Sequence, residues 1–109
     1  MYSFPLGDTE EIIKKGHASL HLEDSAFTGA FYLTSDRLVF VGYVMNITRK
    51  YIEEVPLTHI REVRGEKTFL IIPNGLAITT ITGKTLKVIV DPGDRNAWLK
   101  AIDEQLKVI

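Results

Sequence analysis

Apolar and polar residues alternate along most of this chain, and only its last fifth breaks that rhythm. From 17 to 22, Ala18, Leu20 and Leu22 fall on one side and His17, Ser19 and His21 on the other, the period of a half-buried strand. Glu23-Asp24-Ser25 interrupts as a polar loop. Residues 29–34 resume, with Phe31 and Leu33 opposite Tyr32 and Thr34, and Ser35-Asp36 has the length of a tight hairpin turn. Residues 37–44 are apolar on both faces, Leu38 and Phe40 against Val39, Val41 and Tyr43, which predicts a strand lying centrally or under a covering element.

A loop around Asn46 and Thr48 leads to a short strand over 51–57, where Pro56 indicates an edge or a bend. Residues 59–64 carry Ile60 and Val63, and Gly65 is expected to end them. Phe69 to Ile72 form a β-branched and aromatic run. Asn74-Gly75 is the strongest hairpin signal, since both residues tolerate the positive φ of a type I′ turn. Residues 76–81, a Thr82-Gly83 turn and residues 86–90 complete a meander. Residues 1–10 read as a lead-in with Pro5 and Gly7. Two readings stay open for 8–15: a helical turn capped by Asp8 or Thr9 and ended by Gly16, or the start of the first strand. About seven strands at this spacing predict a sandwich or barrel.

After residue 90 the period becomes 3.6. Asp91 as N-cap, Pro92 in the first helical position and Asp94 in the first turn predict a helix over 92–107. Trp98, Leu99, Ile102 and Leu106 form its apolar stripe, opposite Lys100, Asp103, Glu104 and Lys107. Burying that stripe contributes at most roughly 6–12 kcal/mol, so the helix is expected to dock over the open end of a partly splayed barrel. The fold class is mainly β with one C-terminal α-helix.

Composition narrows the function. The 109 residues are 45% hydrophobic and 25% charged, which fits one globular domain over 1–109. Thirteen Lys and Arg against fourteen Asp and Glu leave a net charge of -1, which argues against a nucleic-acid partner. Without cysteine there is no disulfide, thiolate catalysis or Cys-based zinc site, and a reducing, cytoplasmic location is expected. Neither a signal peptide nor a membrane span is legible, so any membrane contact would be peripheral, at the inner face.

No catalytic pattern emerges, and no cofactor or metal is expected. His17 and His21 lie about 13 Å apart on a strand, too far for one zinc ion. There is no Gly-x-Ser-x-Gly elbow. The acid pairs Glu10-Glu11, Glu23-Asp24 and Glu53-Glu54 read as solvated loops and faces. Gly83-Lys84-Thr85 lacks the remainder of a phosphate-binding loop.

Two surfaces remain as candidates. In the connection over 44–51, Met45 and Ile47 stand beside Arg49 and Lys50, an apolar tip with cations, as an interfacial anchor requires. Its affinity for an acidic membrane would be on the order of 0.1–1 mM, or weaker. Alternatively, the strand over 51–55 offers an unpaired edge to a partner strand, as does its counterpart on the other sheet.

Several segments taken in order resemble the GRAM family of the pleckstrin-homology-like superfold. Gly29-Ala30-Phe31-Tyr32-Leu33-Thr34 with Asp36-Arg37-Leu38-Val39-Phe40 resembles its second and third strands. Pro56-Leu57 with Ile60 and Val63 resembles the following segment, and 70–80 (Leu-Ile-Ile-Pro-Asn-Gly-Leu-Ala-Ile-Thr-Thr) its "IPN..I.T" hairpin. Asp94-Arg95 reverses the family's Arg-Asp pair. The resemblance, over 29–102, implies a partly open barrel capped by the C-terminal helix, and a non-catalytic module for protein surfaces or membrane lipids. A solitary domain of this size suggests a bacterial source. Protein interaction or self-association ranks ahead of acidic-lipid binding, because the basic residues are scattered and Glu23-Asp24 would repel phosphates where lipid-binding relatives carry Lys or Arg.

Overall fold

The computed structural model describes residues 4–22, 25–43, 50–68 and 71–109. In chain order it contains β1 (Ile12–His21), β2 (Ala26–Thr34), β3 (Arg37–Tyr43), β4 (Lys50–Pro56), a 3-10 turn (Leu57–His59), β5 (Ile60–Thr68), β6 (Ile72–Thr80), β7 (Thr85–Ile89) and α1 (Arg95–Lys107). The seven strands form one antiparallel sheet in the order β4-β3-β2-β1-β7-β6-β5. It curls into a half-barrel whose ends are β4 and β5, and β1 bridges its two halves. The expected partly open barrel with a C-terminal helix is what the chain forms.

Alternation is realised as predicted in the first half. Ala18 and Leu20 of β1, Phe31 and Leu33 of β2, and Leu38 and Phe40 of β3 all face the common core. Val39 and Val41 point the other way and are nonetheless fully buried. Phe4 of the lead-in meets Tyr32, the register partner of Val39, edge-on at 4.8 Å between ring centroids.

Three local expectations change, and one open reading closes. Between the two readings of 8–15, the strand prevails from Ile12 onward, and Gly16 lies inside β1. Gly65 does not end a strand but sits within β5. Asn74-Gly75 is not a turn: both lie in β6, and Gly75 pairs with Glu66 on one side and Ile89 on the other. The hairpin reversal falls instead between Thr68 and Ile72, where the Ile71 N–H donates to the Thr68 carbonyl at 3.2 Å. A strand long enough to satisfy β5 and β7 at once outweighs the local turn preference, since strand conformation follows its neighbours more than its own residues.

The helix also starts later, at Arg95 rather than 92. Asp91 accepts the Asp94 N–H at 2.9 Å to close a turn over Pro92 and Gly93. Asp94 takes the cap position without a side-chain cap bond, because its carboxylate pairs with Lys14 at 3.0 Å. That pair fastens the helix entrance to β1. One turn on, Trp98 is fully buried, 4.6 Å from the Phe31 ring and beneath the Lys14 ammonium. With Ile102, also fully buried, it anchors the helix against β1, β5, β6 and the 3-10 turn.

Candidate functional site: the free edge and the barrel mouth

A half-barrel leaves two strand edges, and unpaired edges recruit other strands unless something prevents it. Along β5 several things do. Its register with β6 shifts twice, between Ile60 and Glu62 and between Glu66 and Thr68. Arg61, Glu62, Arg64, Glu66 and Lys67 charge it heavily. Helix α1 lies against it, and Arg95 Nη1 donates to the Glu66 carbonyl at 3.2 Å. Gly65 makes that approach possible: the Arg95 guanidinium occupies the space a β-carbon would need.

β4 is the opposite case. All seven of its residues pair with β3 without a shift. The Leu57 N–H donates to the Asp36 carbonyl at 2.9 Å, one step beyond the Arg37–Pro56 pair. That bond marks Arg37–Pro56 as a wide pair, whose own main-chain groups point away from the partner strand. Antiparallel pairs alternate between the two types, so Glu54, Ile52 and Lys50 also direct N–H and C=O outward. Pro56 falls in the same phase, where its missing N–H costs no ladder bond. Among the described residues no strand pairs with that side. Ile52 is 42% exposed there.

The inner face of β4 borders the mouth of the barrel. Tyr51 stacks on Phe27 with centroids 4.2 Å apart, and its hydroxyl donates to Glu53 Oε1 at 2.7 Å. Burial, then the hydrogen bond and charge of Glu53, pushes the phenol up to about 12. Across the gap Lys84 Nζ reaches both Glu53 oxygens, at 3.4 and 3.5 Å. The turn bearing Lys84 contains Gly83 at φ +90°, a left-handed conformation that glycine adopts without strain. An open groove beside it is lined by His21, Leu22, Ser25, Thr85 and Lys87. Inside the barrel, a void among Leu20, Phe40 and Ile78 measures about 10 Å³, the lower limit for a single water.

Of the sequence-derived site residues, Met45, Ile47 and Arg49 lie outside the described residues. Lys50 is the first residue of β4, its backbone opposite Tyr43. His17 and His21 are exposed positions on β1, and His59 is exposed in the 3-10 turn. Among the described residues no group of three His, Cys, Asp or Glu side chains is placed to hold a metal, and no helix is long and apolar enough to cross a membrane.

One cluster escaped the sequence reading altogether. Glu10, expected in solvent, is only 8% exposed and accepts from Arg37 Nε at 2.8 Å and Nη2 at 3.0 Å, from the Thr34 hydroxyl, and from the Gly7 N–H. Hydrogen bonding by Arg37 is the main reason its carboxyl falls to about 2, against the opposing push of burial. The Glu10 hydrogen bond in turn raises the guanidinium further. Arg37 also binds the Pro5 carbonyl at 2.7 Å and Glu54 at 3.2 Å. The lead-in is thereby latched to the β2–β3 turn and to β4. Its partners are 27 residues apart, and no local pattern announces them.

No protein-family model matches the chain, and no curated protein does. Solved structures match well in shape and little in sequence. The Vps36 N-terminal PH domain aligns with a TM-score of 0.73 at 15% identity, covering 94% of this chain and 83% of that one. The C-terminal domain of an unknown protein from Leishmania infantum gives 0.72 at 13%, with 89% and 84% covered. A DH/PH fragment of PDZRHOGEF, from a complex with human RhoA, gives 0.72 at 14%, covering 93% of this chain but 30% of that one. The class is thus defined by shape: a pleckstrin-homology-like half-barrel with a C-terminal helix.

Proposed function

We propose that this chain is a non-catalytic binding module, a GRAM-like variant of the fold, that accepts an extended strand of a protein partner along β4. The free main-chain groups of Ile52 and Glu54, on a regular edge with an exposed apolar residue, carry this reading. Strand addition draws affinity from main-chain hydrogen bonds and needs no charge patch, which suits a net charge of -1. The strongly perturbed groups Glu10, Arg37 and Tyr51 each serve a structural partner, which is why we assign no catalysis. A cysteine-free chain fits a cytoplasmic setting. That a DH/PH fragment sharing this shape was solved in complex with RhoA supports a protein partner.

The test is titration of the labelled protein with extended hexapeptides selected from a display library. Amide shifts are expected to centre on Ile52 and Glu54 and to vanish in Ile52→Pro. Proline there deletes an outward N–H while sparing the ladder to β3. Selected peptides that move only the residues of the mouth would refute strand addition.

A second reading is acidic-lipid binding through the 44–51 connection, by Met45, Ile47, Arg49 and Lys50. Its support is that His21, Lys84 and Lys87 line the groove at the end where Tyr43 pairs with Thr28. Weighing against it, Lys84 is already paired with Glu53. Sedimentation with phosphatidylserine vesicles, wild type against Arg49→Glu/Lys50→Glu, decides it: equal binding, or none, removes it.

A further inference from the structure

We propose that the strand received by β4 is β4 of a second copy, antiparallel, with the two-fold axis at Ile52, joining two seven-stranded sheets into one. The inference rests on the strand-edge reading above and adds the identity and register of the partner.

An antiparallel pair of identical strands can be centred on different residues, and their side chains discriminate among the choices. With the axis at Ile52, Ile52 meets Ile52 of the second copy, and the lysine at 50 stands across from Glu54 on both sides of the axis. Positions 50, 52 and 54 are the ones whose main-chain groups point outward, so each cross-strand pair exchanges both hydrogen bonds, roughly six in all. On the inner face Tyr51 comes opposite Glu53, and each keeps its hydrogen-bond partner within its own chain. Moving the axis to Glu53 sets Glu53 against Glu53 and position 50 against Pro56, which has no N–H. Moving it to Glu54 sets Glu54 against Glu54. Like charges directly opposite are destabilising, and opposite charges and apolar pairs are favourable. The stretch Lys50-Tyr51-Ile52-Glu53-Glu54 is therefore complementary to itself about its middle residue.

The experiment is sedimentation equilibrium of the full chain from about 5 μM to about 1 mM, the range in which a modest interface becomes populated. Wild type is expected to shift from monomer to dimer. Ile52→Pro should remain monomeric. Lys50→Glu, which creates two like-charged pairs, should weaken association by roughly tenfold or more, and Lys50→Glu/Glu54→Lys should restore it. Trp98 fluorescence, reporting the docked helix, checks that each variant is folded. A wild type that stays monomeric at about 1 mM, or a dimer indifferent to Ile52→Pro and to the charge exchange, overturns self-pairing. If the wild type is monomeric while selected peptides still shift Ile52 and Glu54 amides, strand addition stands and only the second copy is excluded. If neither occurs, both readings fall.

Discussion

At β5 the sheet ends in a bulged, charged strand with a helix laid along it and an arginine on one of its carbonyls. At β4 it ends in seven regularly paired residues with main-chain groups facing outward and an isoleucine half in solvent. The two edges are alike in topology and differ in regularity, charge and cover. At β5 the cover comes from the far end of the chain: Arg95 reaches Glu66 across 29 residues, and Gly65 clears the way. At β4 the Arg37–Glu54 pair touches the strand through a side chain, and among the described residues no strand pairs with its outer side. An edge is closed by what is brought to it.

Five measurements break or sharpen that contrast. The largest effect is expected from removing the cover of β5. Trp98→Ala should cost about 3–5 kcal/mol, as for other fully buried aromatic residues, read as a fall in the urea midpoint with faster amide exchange in β5. Next, Glu10→Gln tests the latch that stiffens the β4 side. Leaving the buried part of Arg37 without its anion should cost about 2–4 kcal/mol at neutral pH.

The same carboxylate predicts a pH dependence. Its value is about 2 when folded against 4.5 ordinarily, so its contribution is complete above about pH 4.5 and is lost as the pH falls toward 2. Wild type should lose about 3 kcal/mol across that window, and Glu10→Gln should show a correspondingly flatter acid profile. An unchanged profile would separate the latch from stability.

Smaller effects follow at the edges themselves. Arg95→Ala should cost about 0.5–1.5 kcal/mol, the value of one net hydrogen bond, and raise amide exchange in β5 but not in β4. Ile52→Thr should change monomer stability by no more than about 0.5 kcal/mol, measured at micromolar concentration. A large loss there would show that β4 depends on Ile52 for folding rather than offering it to a partner.

How much of this was legible beforehand depends on the range of the interaction. The β2–β3 hairpin, the inward placement of Leu38 and Phe40 and the buried stripe of Trp98 and Ile102 could be read directly, because period and turn length are properties of adjacent residues. Thr34 and Arg37 stood in a recognised hairpin, yet the role of Glu10 as their counter-charge was invisible. Asn74-Gly75 misled because its turn preference is real locally and is overruled by the need to pair with β5 and β7 together. For the candidate site, the strand over 51–55 was named as a possible edge, while the reason it is open and β5 is closed was not.

Taken alone, the order of residues determined that the chain alternates into strands and ends in an amphipathic helix, since backbone geometry repeats at fixed periods. Which strands lie at the margins was decided only in three dimensions. β1 comes first in sequence and sits in the middle of the sheet because Leu20 meets Val88, and the curl made by that long-range pairing leaves β4 and β5 unjoined. Cover, edge and register are relations between distant segments, and they exist only once the sheet has folded.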